Sequence, residues 1–190
     1  MSTQQKVNIR NNVLILMILI ATAMRVIIPT DLVSWASFTP VGAVALFAGC
    51  YFSDKWKAYL VPLVILLISD LMINYFRYHH DGLYNNAWVV YLTYAITVFF
   101  GTQIKKVSAG KVALGAVGAV VIHWLLTDMT FGSTLYAPGL TGYFQSLTAA
   151  IPFEAKMIAG YVVFSAILFG GFELAKSKFT VLQVNKQLAA

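Results

Sequence analysis

Charge is what this chain has least of. Acidic and basic side chains make up 11% of its 190 residues while 59% are hydrophobic, against about 25% charged in ordinary soluble domains. Mean hydropathy is +0.77. A soluble fold is thereby excluded and an all-α, polytopic membrane protein is implied. Cysteine is nearly absent too. Cys50 stands alone, which excludes an intramolecular disulfide and a thiolate metal cluster. No H-E-x-x-H motif occurs, and no nucleophile has a base at workable spacing; Ser69 beside Asp70 on a helix faces away from it. Neither catalytic residues, nor a metal, nor a cofactor is expected. The formal charge of +6 would fit a nucleic-acid partner only if the basic residues clustered, and they lie in ones and twos between apolar runs. No linker, repeat or low-complexity tract divides the chain, so residues 1–190 form a single transmembrane domain.

What is there is a series of apolar runs. Six transmembrane helices are expected, at about 12–29, 40–52, 58–76, 84–103, 112–130 and 155–174. The first resembles a signal peptide, but its apolar run continues to Pro29, so it is expected to remain as a helix. The second is short, covering roughly 20 Å of a hydrocarbon core about 30 Å thick. Thr39 as N-cap and Pro40 at the first helical position would start it there, with its positive end facing a cavity suited to an anionic or carbonyl-bearing group.

Basic residues set the topology. Lys6, Arg10, Lys55, Lys57, Lys105, Lys106, Lys111, Lys176, Lys178 and Lys186 fall on one side, 10 of the 13 in the chain. Both termini are therefore predicted inside the cytoplasm, with three loops outside. The third outer loop, 131–153, contains no charged residue and is expected to be partly membrane-embedded.

An ionisable group at membrane depth costs about 2.5 to 3.5 kcal/mol and needs a reason. Arg25, Asp70, His123, Asp128 and Glu154 all fall in the outer half. Asp70 and Asn74 share a helical stripe with Arg77 and Asp81, and Tyr84, Trp88 and Tyr91 form an aromatic ridge. Together with Trp35 these residues predict a polar and aromatic cavity open to the outside. Each has a plainer reading. Arg25 and Asp70 would serve equally as an ion pair locking two helices, His123 as a hydrogen-bonded core histidine, and Trp35, Tyr84 and Trp88 as an interfacial belt. Small residues, Gly42, Ala45, Ala48 and Gly49 on the second helix and Ala109, Ala113, Gly115, Ala116 and Ala119 on the fifth, give faces for close helix packing or for a membrane partner.

The run from Phe38 to Phe52, with Val61-Pro62-Leu63, Ser69-Asp70-Leu71, Gly139-Leu140, Ala149 to Phe153 and Phe164 to Gly170, resembles an uncharacterised family of bacterial six-helix integral membrane proteins. That family is distantly similar to the substrate-binding S components of energy-coupling-factor vitamin transporters. The resemblance implies an S-component-like bundle in the bacterial cytoplasmic (inner) membrane. It also implies an outward cavity for a vitamin-like molecule or metal ion, with Thr39, Pro40, Ser69 and Asp70 near it. Two features depart from the pattern: Thr127-Asp128 stands where the family often has Thr-Asn, and Val13 to Ile20 lacks the Ala-x-x-x-Ala seam through which many S components dock.

The expected function is binding and uptake of a small solute. Arg25, Trp35, Thr39, Ser69, Asp70, Asn74, Tyr84, Trp88, Tyr91, His123, Asp128 and Glu154 are the candidate site. Lipid surrounds the bundle, and a membrane partner or energising module is a further candidate partner. The rival readings are a scaffold or assembly protein that transports nothing, and a membrane-embedded enzyme.

Overall fold

The computed structural model describes residues 1–27, 35, 37–129 and 135–183. Its first helix, α1 (Thr3–Ile27), begins among polar residues, earlier than hydropathy predicts. The Ser2 N–H donates to Gln5 Oε1 at 3.0 Å and the Gln5 N–H donates to Ser2 Oγ at 3.2 Å, a reciprocal capping box that satisfies free donors at the helix start. There follow α2 (Val41–Tyr51), α3 (Lys55–Tyr78), α4 (Ala87–Gln103), α5 (Ala109–Thr127), α6 (Leu140–Lys178) and a 3-10 turn, Thr180–Leu182.

Four of these helices, α1, α3, α5 and α6, are long and apolar enough to cross a membrane, which marks a multi-pass membrane protein. Six helices are present as expected, and two of them are shorter than the other four. At 11 residues α2 is about 17 Å long, and α4 has 17 residues. Every residue of α2 is buried, as its uniformly apolar sequence requires of a helix with no polar face. It is the axis of the bundle, packed against α3, α4, α5, α6 and α1.

Lipid is as apolar as the core, so burial alone does not hold α2; close packing does. Gly49 and Gly101 bring α2 and α4 together backbone to backbone. A Cβ on Gly49 would lie 2.1 Å from the Val98 carbonyl oxygen, and one on Gly101 would lie 2.2 Å from that of Leu46. On the opposite side, Phe47 meets Phe169 and Phe172 edge-on at 5.4 and 5.8 Å.

The loop expected at 131–153 is also corrected. Residues from Leu140 onward are helical and continuous with the last span, making α6 39 residues long. Pro152 lies inside it, where the lost backbone hydrogen bond is tolerated as in other membrane helices. The absence of charge therefore marks an apolar helical segment. Trp124 Nε1 donates to the Leu147 carbonyl at 3.1 Å and Tyr143 donates to that of Leu125 at 2.8 Å, tying this segment to the end of α5. Most of the segment expected as the first outer loop, with residues 28–34 and 36, and residues 130–134 lie outside the described residues.

The two ends of the bundle differ. One holds Asp70; the other holds Arg10, which the sequence reading treated as a solvated topology charge. Arg10 is buried, and its Nη2 donates to the Tyr51 carbonyl at 2.7 Å. Tyr51 ends α2, so the guanidinium satisfies a carbonyl that has no partner within its own helix and sits at the negative end of the helix dipole. The Tyr51 hydroxyl donates to Glu173 on α6 at 2.5 Å, and Lys176 donates to the same carboxylate.

Candidate functional site

At the Asp70 end, the predicted residues separate into three groups. The first joins α1, α3 and α4. Arg25 Nη1 donates to Asp70 Oδ1 at 2.6 Å and to Ser69 Oγ at 2.8 Å. Ser69 passes its own proton to the Leu66 carbonyl at 2.8 Å, and the Tyr91 hydroxyl donates to Asp70 Oδ2 at 2.9 Å. Both oxygens of Asp70, which is 3% exposed, thus have charged or hydroxyl donors. A carboxylate so occupied is stable without a ligand.

Asn74 belongs to the same stripe but serves the turn beyond it. Its Nδ2 donates to the Gly82 carbonyl at 2.8 Å. The helix itself closes with His79 in the left-handed region, φ 50°, and the His79 and His80 N–H groups both reaching back to the Asn74 carbonyl, the second at 3.1 Å, so that a left-handed residue caps the helix end. Asp81 consequently lies past the helix and leaves the stripe.

The second group joins α5 and α6. His123 Nδ1 is 3.9 Å from Glu154 Oε1. The Thr127 hydroxyl donates to the His123 carbonyl at 2.8 Å and touches His123 Nδ1 at 3.3 Å. Glu154 Oε2 is buried and has no hydrogen-bond partner among the described residues. Asp128, just past the end of α5, lies within electrostatic reach of Glu154, and burial raises its carboxyl above the usual range.

The third group is aromatic. Tyr84 and Trp88 line a recess of about 280 Å³ between the neighbouring ends of α4 and α5, with Asn85, Asn86, Leu126 and Thr127 among its walls. Trp88 is 69% exposed.

Two predicted residues sit apart. The expected N-cap is corrected by one residue: Pro40 is the N-cap, its carbonyl receiving the first helical bond from Val44 at 2.9 Å, and Thr39 stands one place earlier, its Oγ1 accepting from the Val41 N–H at 3.3 Å. Gly160 of α6 packs directly on it: a Cβ there would lie 3.0 Å from the Thr39 nitrogen. The start of α2 is therefore covered by α6. Trp35 meets Phe38 edge-on at 5.7 Å, and the Lys156 ammonium lies 5.8 Å from its ring centre.

Sequence reasoning missed Tyr94. It is buried and its ring is 5.9 Å from that of His123, so it packs against the second group. Its signal was present: it follows Tyr91 by three residues and extends the aromatic ridge by one turn. Tyr161, which shares a helical stripe with Glu154, is fully buried over Gly42. At the Arg10 end, the small residues of α5 have a separate role. Ala109, Ala113 and Ala116 form one wall of a groove of about 430 Å³ against α6, where Ser165 and Gly170 form part of the other.

No curated protein and no solved structure matches the chain. A family model described as a family of unknown function, DUF6580, matches residues 5–184. With nearly the whole chain covered, the protein belongs to the DUF6580 family.

Proposed function

We propose that this protein captures a small solute from outside the bacterial cytoplasmic membrane, in a manner similar to the S components of energy-coupling-factor transporters. Both termini lie in the cytoplasm in this reading, the Asp70 end faces outward, and the bundle reorients once the solute is bound. No covalent chemistry is assigned.

The observation that carries the reading is the recess walled by Tyr84 and Trp88 beside two buried polar clusters at one end of the bundle. Buried ionisable groups in a membrane protein mark pathways or sites when they face a cavity, and this recess joins aromatic and apolar walls to polar side chains, Asn85, Asn86 and Thr127, that could orient a small molecule. Within it the Asp70 cluster fixes α1, α3 and α4 in place, and the recess and the Glu154 cluster face the solute. The test is to purify the full chain in detergent and search native mass spectra for a co-purifying small molecule, then to measure melting temperature against a panel of vitamins, amines, acids and metal ions. A bound species or a concentration-dependent rise supports the reading; a blank in both ends it.

A further inference from the structure

Glu154 is a buried carboxylate at the Asp70 end with one oxygen that has no hydrogen-bond partner among the described residues. Its side chain is 9% exposed, Oε2 has no hydrogen-bond partner among the described residues, and Oε1 is 3.9 Å from its nearest cationic candidate, the His123 ring, beyond hydrogen-bond distance. The positive side chains of this region are engaged elsewhere. Arg25 is bound to Asp70 and Ser69, and the Lys156 ammonium lies over the rings of Trp35 and Phe153. Asp128 adds a second acidic group within electrostatic reach. Buried there, the carboxylate is costly as an anion, and a positive partner that reached it would lower that cost.

Thr127 connects this carboxylate to the recess. It forms part of the recess wall and its hydroxyl touches His123 Nδ1, so the recess, Thr127, His123 and Glu154 follow one another inward. The outer wall is Tyr84 and Trp88, whose ring faces attract cations. A volume of about 280 Å³ lies at the small end of ligand sites, which run from about 300 Å³ upward. Among the described residues no three His, Cys, Asp or Glu side chains converge as metal ligands would.

Resting on the solute-binding reading above, we propose that the recess between α4 and α5 receives a small organic cation, an ammonium head group held against Tyr84 and Trp88, with Glu154 as the buried counter-charge behind it. The ligand's charge, and not its shape alone, then decides binding. This reverses the anionic preference that the start of α2 suggested, and the cover of Gly160 over Thr39 is consistent with the reversal.

The experiment uses the full chain in lipid nanodiscs, with tryptophan fluorescence and melting temperature as readouts. The probes are choline, its neutral isostere 3,3-dimethylbutanol, benzylamine, benzyl alcohol, benzoate and zinc. The ammonium compounds are expected to bind and their neutral isosteres to bind at least fivefold more weakly. Glu154→Gln should lower ammonium affinity at least fivefold without lowering the melting temperature of the unliganded protein, since it removes an unpaired charge. Trp88→Ala, at an exposed position, should do the same. Equal binding of ammonium and isostere, preference for benzoate or zinc, or unchanged affinity in both variants overturns the proposal while leaving solute capture standing. Binding of nothing, by these probes and the wider panel, overturns both.

Discussion

Gly49 and Gly101 face each other with their Cα atoms at the crossing of α2 and α4, and neither position has room for a methyl group. The Cβ of an alanine at Gly101 would stand 2.2 Å from the Leu46 carbonyl oxygen and 3.0 Å from Gly49 Cα, so the helices must separate to admit it. Gly101→Ala is expected to cost about 1 to 3 kcal/mol, the scale of overpacking in a well-filled core. Gly170→Ala is the control: a Cβ there meets nothing within 4 Å, and the change should be neutral or stabilising by up to about 1 kcal/mol. Thermal unfolding of the two variants in the same detergent separates them.

Asp70→Asn should destabilise the fold by about 1 to 3 kcal/mol, since it weakens two charge-assisted bonds and leaves Arg25 without its counter-ion. If Asp70 positions helices and does not itself hold solute, the double variant Arg25→Leu with Asp70→Leu should recover part of that loss. Melting temperatures of the two single and one double variants give the coupling. Additive losses would show that the pair is not coupled.

At the other end, Tyr51→Phe removes the hydroxyl that reaches Glu173 at 2.5 Å and should cost about 1 to 2 kcal/mol. Arg10→Met should cost more, because it leaves the buried carbonyl that ends α2 without the guanidinium. Urea or thermal denaturation in detergent ranks the two, and the reverse order would remove Arg10 from its capping role.

Topology can be read by cysteine labelling on the native background, because Cys50 is buried, with Sγ 3.6 Å from the Ile104 carbonyl oxygen. Both His80 and Lys106 are exposed. His80→Cys should react with an impermeant maleimide added to intact cells, and Lys106→Cys only after the membrane is opened. The opposite pattern would invert the proposed orientation.

Helix identity was legible in the sequence because apolar runs of spanning length have one solution in lipid. Boundaries were not, since hydropathy sees where a helix meets lipid and not where it begins. α1 starts at a Ser2–Gln5 capping box in polar sequence, and α6 starts at Leu140 in a stretch whose glycines and prolines read as loop. Within the site, the Arg25–Asp70 pair and the nearness of His123 to Glu154 could be anticipated because charges at membrane depth seek partners. Arg10 could not be separated from its solvated neighbours by charge count. Its signal lay in spacing: it shares a stripe with Leu14, Ile18 and Ala21, all buried. Nor does composition reveal which carboxylate is satisfied. Asp70 and Glu154 look alike in sequence, and only the placement of Tyr91 and Arg25 makes one complete and leaves the other wanting.

The complete enclosure of α2 bears on how the molecule is made. Synthesis runs from the N-terminus, so α2 leaves the ribosome before α4 and α6 exist, and two of its walls, Gly101 and Phe172, are still missing. Too short to cross the bilayer by itself, it has only α1 and α3 to pack against before α4 follows, and its enclosure is complete only once the last helix is made. A change in α6 that slows its arrival would therefore be felt first as loss of the chain to quality-control proteases, before any change in the finished protein.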